Sequence, residues 1–276
     1  MYYGKVCNVN IFDILFLFTM WYTVTVMEKK QWFEKENFWL NYGPIMFDQQ
    51  HWAEAPGIAQ AVFDACTLSP GAKVLDAGCG PGRISVELAL LGLDVTGVDL
   101  IQPYLDAARE TAKDENVQLN LIQGDLRTFS TQGTFDVAVN LYTSFGYCDS
   151  IQEDQLILNN IAKSVKKGGY FVMEGTSREI AVRYFTSGEW FERAGKTVLT
   201  EFSVEGLWEG LRSKWILINN ETGERIEHEF VQRLYSALEL RDMLFKAGFT
   251  TIKVYGDFQW APYDEKASTM VIICQK

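Results

Sequence analysis

From residue 73 onward the chain alternates short apolar runs with stretches of helical period. KVLDAG (Lys73–Gly78) is a near-continuous apolar run that ends on glycine, the pattern of a strand buried on both faces. Arg83–Leu91 reads as a helix and DVTGVD (Asp94–Asp99) as a second strand. Pro103 opens the next helix, which runs to Lys113; its fixed φ suits a first helical turn. Val117–Asp125 and Phe135–Asn140 read as the third and fourth strands. Ile151–Val165 has helical spacing at Leu156, Ile157, Asn160 and Ile161, and Lys166-Lys167-Gly168-Gly169 reads as its cationic end and glycine cap. Tyr170–Gly175 is the fifth strand. Strands alternating with helices imply right-handed βαβ units, so the fold expected is α/β with a doubly wound, mostly parallel sheet.

After residue 196 the period changes. Residues 197–234 carry strand-like runs broken by the turn tripeptide Glu221-Thr222-Gly223, and are expected to form two or three antiparallel strands, a flap over the sheet's active edge. Ala237–Gly248 is a further amphipathic helix ending on glycine, and TTIKVYGDF and TMVIICQK finish the chain as two strands. The organisation expected is an N-terminal helical lid over residues 27–70 and one domain over 71–276 that contains the inserted strands. Residues 1–26 stand apart. Ile11–Val26 is apolar except for Asp13 and a few threonines, but falls short of the roughly 20 residues a membrane span needs, and no small-residue cleavage site follows. The reading is an extension upstream of a start at Met27, with a membrane anchor as the alternative.

The chain has 276 residues, 47% of them hydrophobic, and a formal net charge of −11. That charge opposes binding to nucleic acid, whose affinity comes largely from Lys and Arg on phosphates, and to anionic membrane surfaces. The 5 cysteines, Cys7, Cys66, Cys79, Cys148 and Cys274, include no CxxC pair, which argues against a disulfide framework or a zinc site and for a reducing cytoplasm. No metal site is expected.

The most specific signal is Asp76-Ala77-Gly78-Cys79-Gly80-Pro81-Gly82 directly after a buried strand and before a helix. Glycines let the chain turn sharply and let a ligand touch the backbone, and the helix that follows aims its free N–H groups at that ligand. Asp99, at the end of the next strand, is placed to accept the hydroxyls of a ribose. A dinucleotide fingerprint would need glycine where Arg83 stands; the spacing here is G-x-G-x-G.

With these motifs the sequence resembles the class I S-adenosylmethionine-dependent methyltransferases from about residue 34 to 276. VLDAGCGPG is similar to the first motif of that family, GVD at Gly97–Asp99 to the second, Gly124-Asp125 to the third and FDVAVNLYTSFGY to the fourth. VKKGGYFVME resembles the strand signature after the fourth motif. RLYSALELRDMLFKAGF resembles the small-molecule subgroup, which includes sugar-amine and glycine-type N-methyltransferases. The resemblance implies a Rossmann-like sheet of seven strands and S-adenosylmethionine as cofactor. It places Gly78, Cys79, Gly80 and Gly82 against the methionine part and Asp76 near its ammonium. It gives Asp99 the ribose hydroxyls, Leu100 the adenine face, Asp125 the adenine amine and Leu126 N–H a ring nitrogen, and it sets the Asn140 carbonyl near the ammonium. One departure is Leu100-Ile101-Gln102-Pro103, where the family often has a small hydroxyl residue.

Methyl transfer from a sulfonium needs an acceptor lone pair in line with the S–CH₃ bond and water excluded, so no catalytic motif is obligatory. The N-P-P-[YF] signature of nucleic-acid amine methyltransferases is absent; Asn140-Leu141-Tyr142-Thr143 stands in its place. Acceptor-site candidates lie in Tyr142–Tyr147, in the lid segment Tyr42–Trp52, and near His228, Arg233 and Tyr235. Tyr42 and His51 are expected to face the methionine end of the cofactor or the acceptor. His51 and Tyr142 are the catalytic candidates, with His51 as a base; the bland alternative is a lid that only covers apolar sheet. His228, in an alternating run, reads as a surface position. The expected partner is a small-molecule amine, hydroxyl or carboxyl acceptor, and the sequence sets no oligomeric state. The competing readings are a non-catalytic S-adenosylmethionine binder and an NAD-dependent oxidoreductase.

Overall fold

The computed structural model describes residues 30–276, so the extension expected over residues 1–26 lies outside the described residues. A 3-10 turn at Trp32–Glu34 leads into α1 (Glu36–Met46) and α2 (Gln49–Ala65). The alternating part then runs β1 (Lys73–Ala77), α3 (Arg83–Leu90), β2 (Asp94–Asp99), α4 (Gln102–Asp114), β3 (Asn120–Gln123), β4 (Phe135–Asn140), α5 (Ile151–Ser164) and β5 (Val165–Gly175). A short helix, α6 (Arg178–Arg183), precedes β6 (Gly188–Arg193), β7 (Lys196–Glu205), β8 (Gly210–Asn219) and β9 (Arg225–Arg233). The chain closes with α7 (Ala237–Ala247), β10 (Thr251–Tyr255) and β11 (Met270–Gln275).

The main sheet has 7 strands in the order β10-β11-β5-β4-β1-β2-β3. Pairing is parallel from β5 through β3, and β11 runs antiparallel to both β5 and β10. This is the α/β, doubly wound, mostly parallel sheet of the class I methyltransferase type. Alternate side chains of each strand enter opposite faces, as the pleat requires. Val74, Val137, Val139, Val172 and Val271 pack with Ala55, Val62, Ile84 and Leu88 from α2 and α3. Leu75, Ala138, Phe171, Met173 and Ile272 pack with Leu158 and Ile161 of α5 and Leu240 and Leu244 of α7. Both α5 and α7 start at capping boxes, Ser150 with Glu153 and Ser236 with Glu239.

Four elements differ from the sequence reading. The third strand covers only Asn120–Gln123, the stretch that pairs with Thr96–Asp99; the residues before it leave α4 by a turn in which Val117 N–H donates to Ala112 O (2.9 Å). Helix α5 ends at Ser164, and Lys166–Gly169 are no helix cap. Val165 already pairs with Phe135, and the next pair of the register is Val137 with Tyr170, so the lysines and glycines form an irregularity inside β5. Gly168 N–H donates to Lys276 O (2.8 Å) and Lys166 Nζ lies 2.7 Å from Asp136 Oδ1, which ties that irregularity to both neighbours. Helix α6, started by the Ser177 side chain on Ile180 N–H, carried no recognisable period over its 6 residues.

The inserted flap has four strands rather than two or three, and it begins at Gly188. The missed strand is joined to β7 by the two-residue turn Ala194-Gly195, both with positive φ (50° and 70°). This twist suits a tight hairpin, but Ala-Gly is a weaker turn signature than Asn-Gly. The inner face of this second sheet does not rest directly on the main sheet. It holds α1: Phe38 and Tyr42 pack against Phe230 and Trp215, and Ile45 against Val198 and Leu217. The flap is tied to the loop after β4 by Arg233 N–H on Gly146 O (2.7 Å) and Gln232 Nε2 on Phe145 O (3.1 Å). No helix among the described residues is long and apolar enough to cross a membrane.

Two glycines make opposite predictions. Gly82, at φ 83°, caps α3, and a Cβ there would lie 2.6 Å from Ala108 Cβ in α4. Gly57, inside α2, has nothing within 4 Å of its missing Cβ. Gly82→Ala combines overpacking with left-handed backbone strain and is expected to cost about 2–4 kcal/mol, a melting point roughly 5–10 °C lower. Gly57→Ala is expected to add up to about 1 kcal/mol. Thermal melts of both variants check the pair, and a Gly82→Ala protein melting like wild type contradicts the packing.

Candidate active site

The strand order reverses between β1 and β4, whose following helices α3 and α5 pack on opposite faces of the sheet. Chain ends diverging there leave a crevice at the carboxyl edge of the strands. A cavity of about 420 Å³ fills that crevice, a size that suits a small ligand. Its floor is the glycine turn after β1, its apolar walls include Val98, Leu100 and Leu126, and its roof is the aromatic face of α1 with Trp32, Trp39, Tyr42 and Tyr147.

Asp99 organises the floor. Its Oδ2 accepts Gly80 N–H (2.8 Å) and its Oδ1 accepts Ile101 N–H (2.9 Å). Burial raises its carboxyl above the usual range, while these backbone donors oppose that rise. Each oxygen keeps a further lone pair toward the cavity. Gly78 and Gly80, at φ 84° and 52°, and Cys79 line the cavity beside it. Gly82 does not; its missing side chain lets α3 approach α4 at Ala108. Asn140 is also off the wall. It is fully buried, and its Nδ2 donates to Ala77 O (2.6 Å) and Ser144 O (3.3 Å), which joins the loops after β1 and β4 from behind.

The opposite end holds a buried acid and a buried base. Asp76 is 3% exposed and accepts Ser85 Oγ (2.6 Å); burial pushes its carboxyl up to about 6. Arg83 is 4% exposed, and among the described residues no carboxylate lies within ion-pair distance of it. Its Nη1 donates to His51 O (2.5 Å), and its guanidinium sits 3.8 Å from the Tyr142 ring centroid and 5.2 Å from that of Phe47. A buried cation without a counterion is costly, and a guanidinium fork fits a carboxylate. The pair is complementary to an amino-acid group, ammonium toward Asp76 and carboxylate toward Arg83.

His51 lines the same end. Its Nδ1 lies 2.6 Å from Asp48 Oδ1, which also accepts His51 N–H (3.1 Å) and so starts α2. Asp48 is gripped in turn by Arg193 of the flap (Nε 3.3 Å). A proton on Nδ1 facing that carboxylate leaves Nε2 as the free acceptor of the ring. The Tyr142 ring is 6.1 Å away, centroid to centroid. Tyr42 lines the roof, stacked on Phe38 (5.0 Å) and set edgewise on Trp215 (4.7 Å); burial raises its phenol.

At the far side Asp125 lines the cavity, but its carboxylate is already paired with Arg127, through Nε (2.8 Å) and Nη2 (2.6 Å). Arg127 also binds Glu34 and reaches Glu153 (3.4 Å), so the turn before α1 is pinned to the loop after β3. The third candidate stretch reaches the cavity through Phe230 and Gln232 but not through His228, Arg233 or Tyr235. Arg233 Nη2 donates to Asp149 O (3.1 Å), Tyr235 hydroxyl donates to Asp154 Oδ2 (2.7 Å), and His228 packs on the Phe38 edge (5.0 Å) in the inner face of the flap. His228 is half-buried there, and burial lowers its imidazole.

Sequence reading passed over Arg83, Arg127 and Glu174 as site residues. Arg83 carried a physical signal: a cation at the first position of a helix opposes the dipole and so asks for another reason. Glu174 is the charged end of the apolar run Tyr170–Met173, at the carboxyl edge where open α/β sheets bind ligands. Arg127 had no signal short of the tertiary contact with Glu34. Among the described residues no group of His, Cys, Asp and Glu is placed to hold a metal.

Comparison with known proteins agrees with this fold. The family described as a methyltransferase domain matches residues 74–169. The cypemycin N-terminal methyltransferase of a Streptomyces species is 27% identical over 223 residues, 75% of this chain and 84% of that protein. The crystal structure of an S-adenosylmethionine-dependent methyltransferase from Clostridium acetobutylicum superimposes with TM-score 0.72 at 14% identity, covering 87% of this chain and 97% of that one. The S-adenosylmethionine-bound amino pentose methyltransferase of calicheamicin biosynthesis from Micromonospora echinaspora gives TM-score 0.62 at 18% identity, covering 99% of this chain and 100% of that one. With the seven-stranded sheet, the glycine turn and the acid at the end of β2, the chain carries a methyltransferase domain over residues 74–169 and has the fold of S-adenosylmethionine-dependent methyltransferases.

Proposed function

We propose that the cavity binds S-adenosylmethionine and that the chain passes its methyl group to a basic nitrogen of a small molecule. The observation that carries the cofactor reading is that one cavity is lined by two buried charges of opposite sign, Asp76 and Arg83, and also by Asp99, Leu100 and Leu126. Asp76 opposes the ammonium, Arg83 the carboxylate, Asp99 the ribose hydroxyls, and the two leucines flank the adenine. Asp125 acts by holding Arg127 and through it the turn under the roof. When bound, the cofactor supplies an electrophilic methyl on a sulfonium. The chain's own part is positioning, since α1 closes the cavity against water and the aromatic roof confines the acceptor. His51 Nε2 takes the proton that an amine acceptor loses, with Asp48 holding the ring. The nitrogen acceptor is supported by the relative named a cypemycin N-terminal methyltransferase, which aligns with 75% of this chain, whereas the relatives named as O-methyltransferases of ubiquinone biosynthesis align with 38% of it. The net charge of −11 favours a small or cationic acceptor over a nucleic acid.

The test is titration calorimetry with S-adenosylhomocysteine and NAD, followed by methyl transfer from labelled cofactor to a panel of amino sugars and short peptides. Binding of S-adenosylhomocysteine alone and label on an amine nitrogen are expected. Label only on hydroxyl compounds overturns the acceptor class, and binding of NAD overturns the cofactor.

Asp99→Ala is expected to weaken S-adenosylhomocysteine about a hundredfold, because hydrogen bonds to a charged group are the strong kind. The same change leaves the N–H groups of Gly80 and Ile101 without their acceptor, so a melting point a few degrees lower accompanies it. Unchanged affinity contradicts the ribose assignment.

The pH dependence follows from Asp76. Its folded value near 6 is above that of an exposed aspartate, so the empty protein loses the stability linked to this group as pH rises through about 6. Pairing with an ammonium needs the ionised form, so binding below pH 6 must release a proton. Cofactor affinity is expected to fall about tenfold per pH unit below 6 and to be flat above it, and Asp76→Asn is expected to weaken binding and remove the slope. A wild-type affinity constant from pH 5 to 8 contradicts the assignment.

A further inference from the structure

The loop after β4 holds two consecutive non-glycine residues in the left-handed region, Tyr142 at φ 55° and Thr143 at φ 59°. Such residues carry strain and persist only where surrounding contacts hold them. Here the contacts converge on Glu174 at the end of β5. Its Oε2 accepts Tyr142 N–H (2.8 Å), and its own carbonyl accepts Thr143 N–H (3.3 Å). The other carboxylate oxygen accepts the Thr269 hydroxyl, whose oxygen also lies 3.2 Å from Gly175 O. The turn sets the Tyr142 ring flat on Arg83 at 3.8 Å and beside His51.

We infer that Glu174 is a positioning residue: it holds the strained turn that places the Tyr142 ring on Arg83, and so aims the Arg83 guanidinium into the cavity. The chain of contacts is continuous, from carboxylate to backbone N–H to ring to guanidinium. Arg83 has two supports besides, the His51 carbonyl and the Phe47 ring, and both belong to the segment that covers the site. Glu174 supplies the support from the sheet side. With Glu174 shortened, the turn can relax toward ordinary backbone, the ring leaves the guanidinium, and the cofactor's carboxylate loses an aimed partner. Glu174 also lines the cavity, but its oxygens are committed to the turn and to Thr269. This inference rests on the reading of Arg83 as the carboxylate partner of the cofactor.

Rescue by glycine tests it, because glycine adopts the left-handed turn without strain. Glu174→Ala is expected to weaken S-adenosylhomocysteine about tenfold or more, in line with the loss of a charged hydrogen bond. Glu174→Gln, whose amide oxygen still accepts from Tyr142 N–H, is expected to lose less than about threefold. The double variant Glu174→Ala with Thr143→Gly is expected to recover much of the affinity that Glu174→Ala loses. The affinity for 5′-methylthioadenosine, which has no amino-acid end, is expected to stay the same in all of them. Melting curves identify any variant that does not fold, and Glu174→Gln carries the comparison if Glu174→Ala is one. Glu174→Ala binding as tightly as wild type, equal losses in Glu174→Ala and Glu174→Gln, no recovery with Thr143→Gly, or a parallel loss for methylthioadenosine each overturns the inference. A wild-type protein that does not bind S-adenosylhomocysteine overturns the cofactor reading instead.

Discussion

A guanidinium buried without a carboxylate partner is the constraint around which this site is arranged. Arg83 is 4% exposed, and among the described residues its close supports are a carbonyl and the faces of two rings, with the Asp76 and Glu174 carboxylates acting on it from beyond ion-pair distance. Its supports come from separate parts of the fold: Phe47 from the α1–α2 junction, His51 from α2, and Tyr142 from the loop after β4. The glycine turn before it and the acid beside it are fixed in the same way, Gly80 by Asp99 and Asp76 by Ser85. An anion entering the cavity would offset the cost of that charge, which is why the proposed carboxylate end of the cofactor is set against Arg83.

The N-terminal segment and the flap act as one cover. Helix α1 lies between the four-stranded sheet and the cavity, with Phe38, Tyr42 and Ile45 turned toward the strands and Tyr104 hydroxyl bonded to Trp39 O (2.7 Å) on the other side. Arg193 on Asp48 ties the flap to the start of α2, and Arg127 on Glu34 ties the turn before α1 to the loop after β3. A cover held by ion pairs at its edges and by aromatic packing at its centre can exclude water while still opening for exchange of a cofactor.

Much of this was legible in the sequence. Strands β1, β2 and β4 are short apolar runs ending at the carboxyl edge, and the period switched clearly between them and their helices. Asp76, Gly78, Gly80 and Asp99, singled out because close approach of a backbone to a ligand would ask for glycine and a ribose for an acceptor, do line the cavity. What the sequence hid depended on tertiary contact. The functions of Gly82 and Asn140 are split from those of their neighbours by which way the backbone turns: Gly82 faces Ala108, and Asn140 clamps Ala77. Asp125 is paired by Arg127, only two residues away, but that pairing is fixed by Glu34, far along the chain. The extra flap strand was hidden by a hairpin turn of ordinary residues, and the end of α5 by a Lys-Gly run that serves the sheet.

The central claim is that the Arg83 end of the cavity reads the amino-acid part of the cofactor. It is tested most directly by measuring the affinities of S-adenosylhomocysteine and 5′-methylthioadenosine for wild type and for Arg83→Leu. The wild-type protein is expected to favour S-adenosylhomocysteine by about a hundredfold, and the variant to lose most of that preference while holding methylthioadenosine as before. The same preference in both proteins would contradict the account.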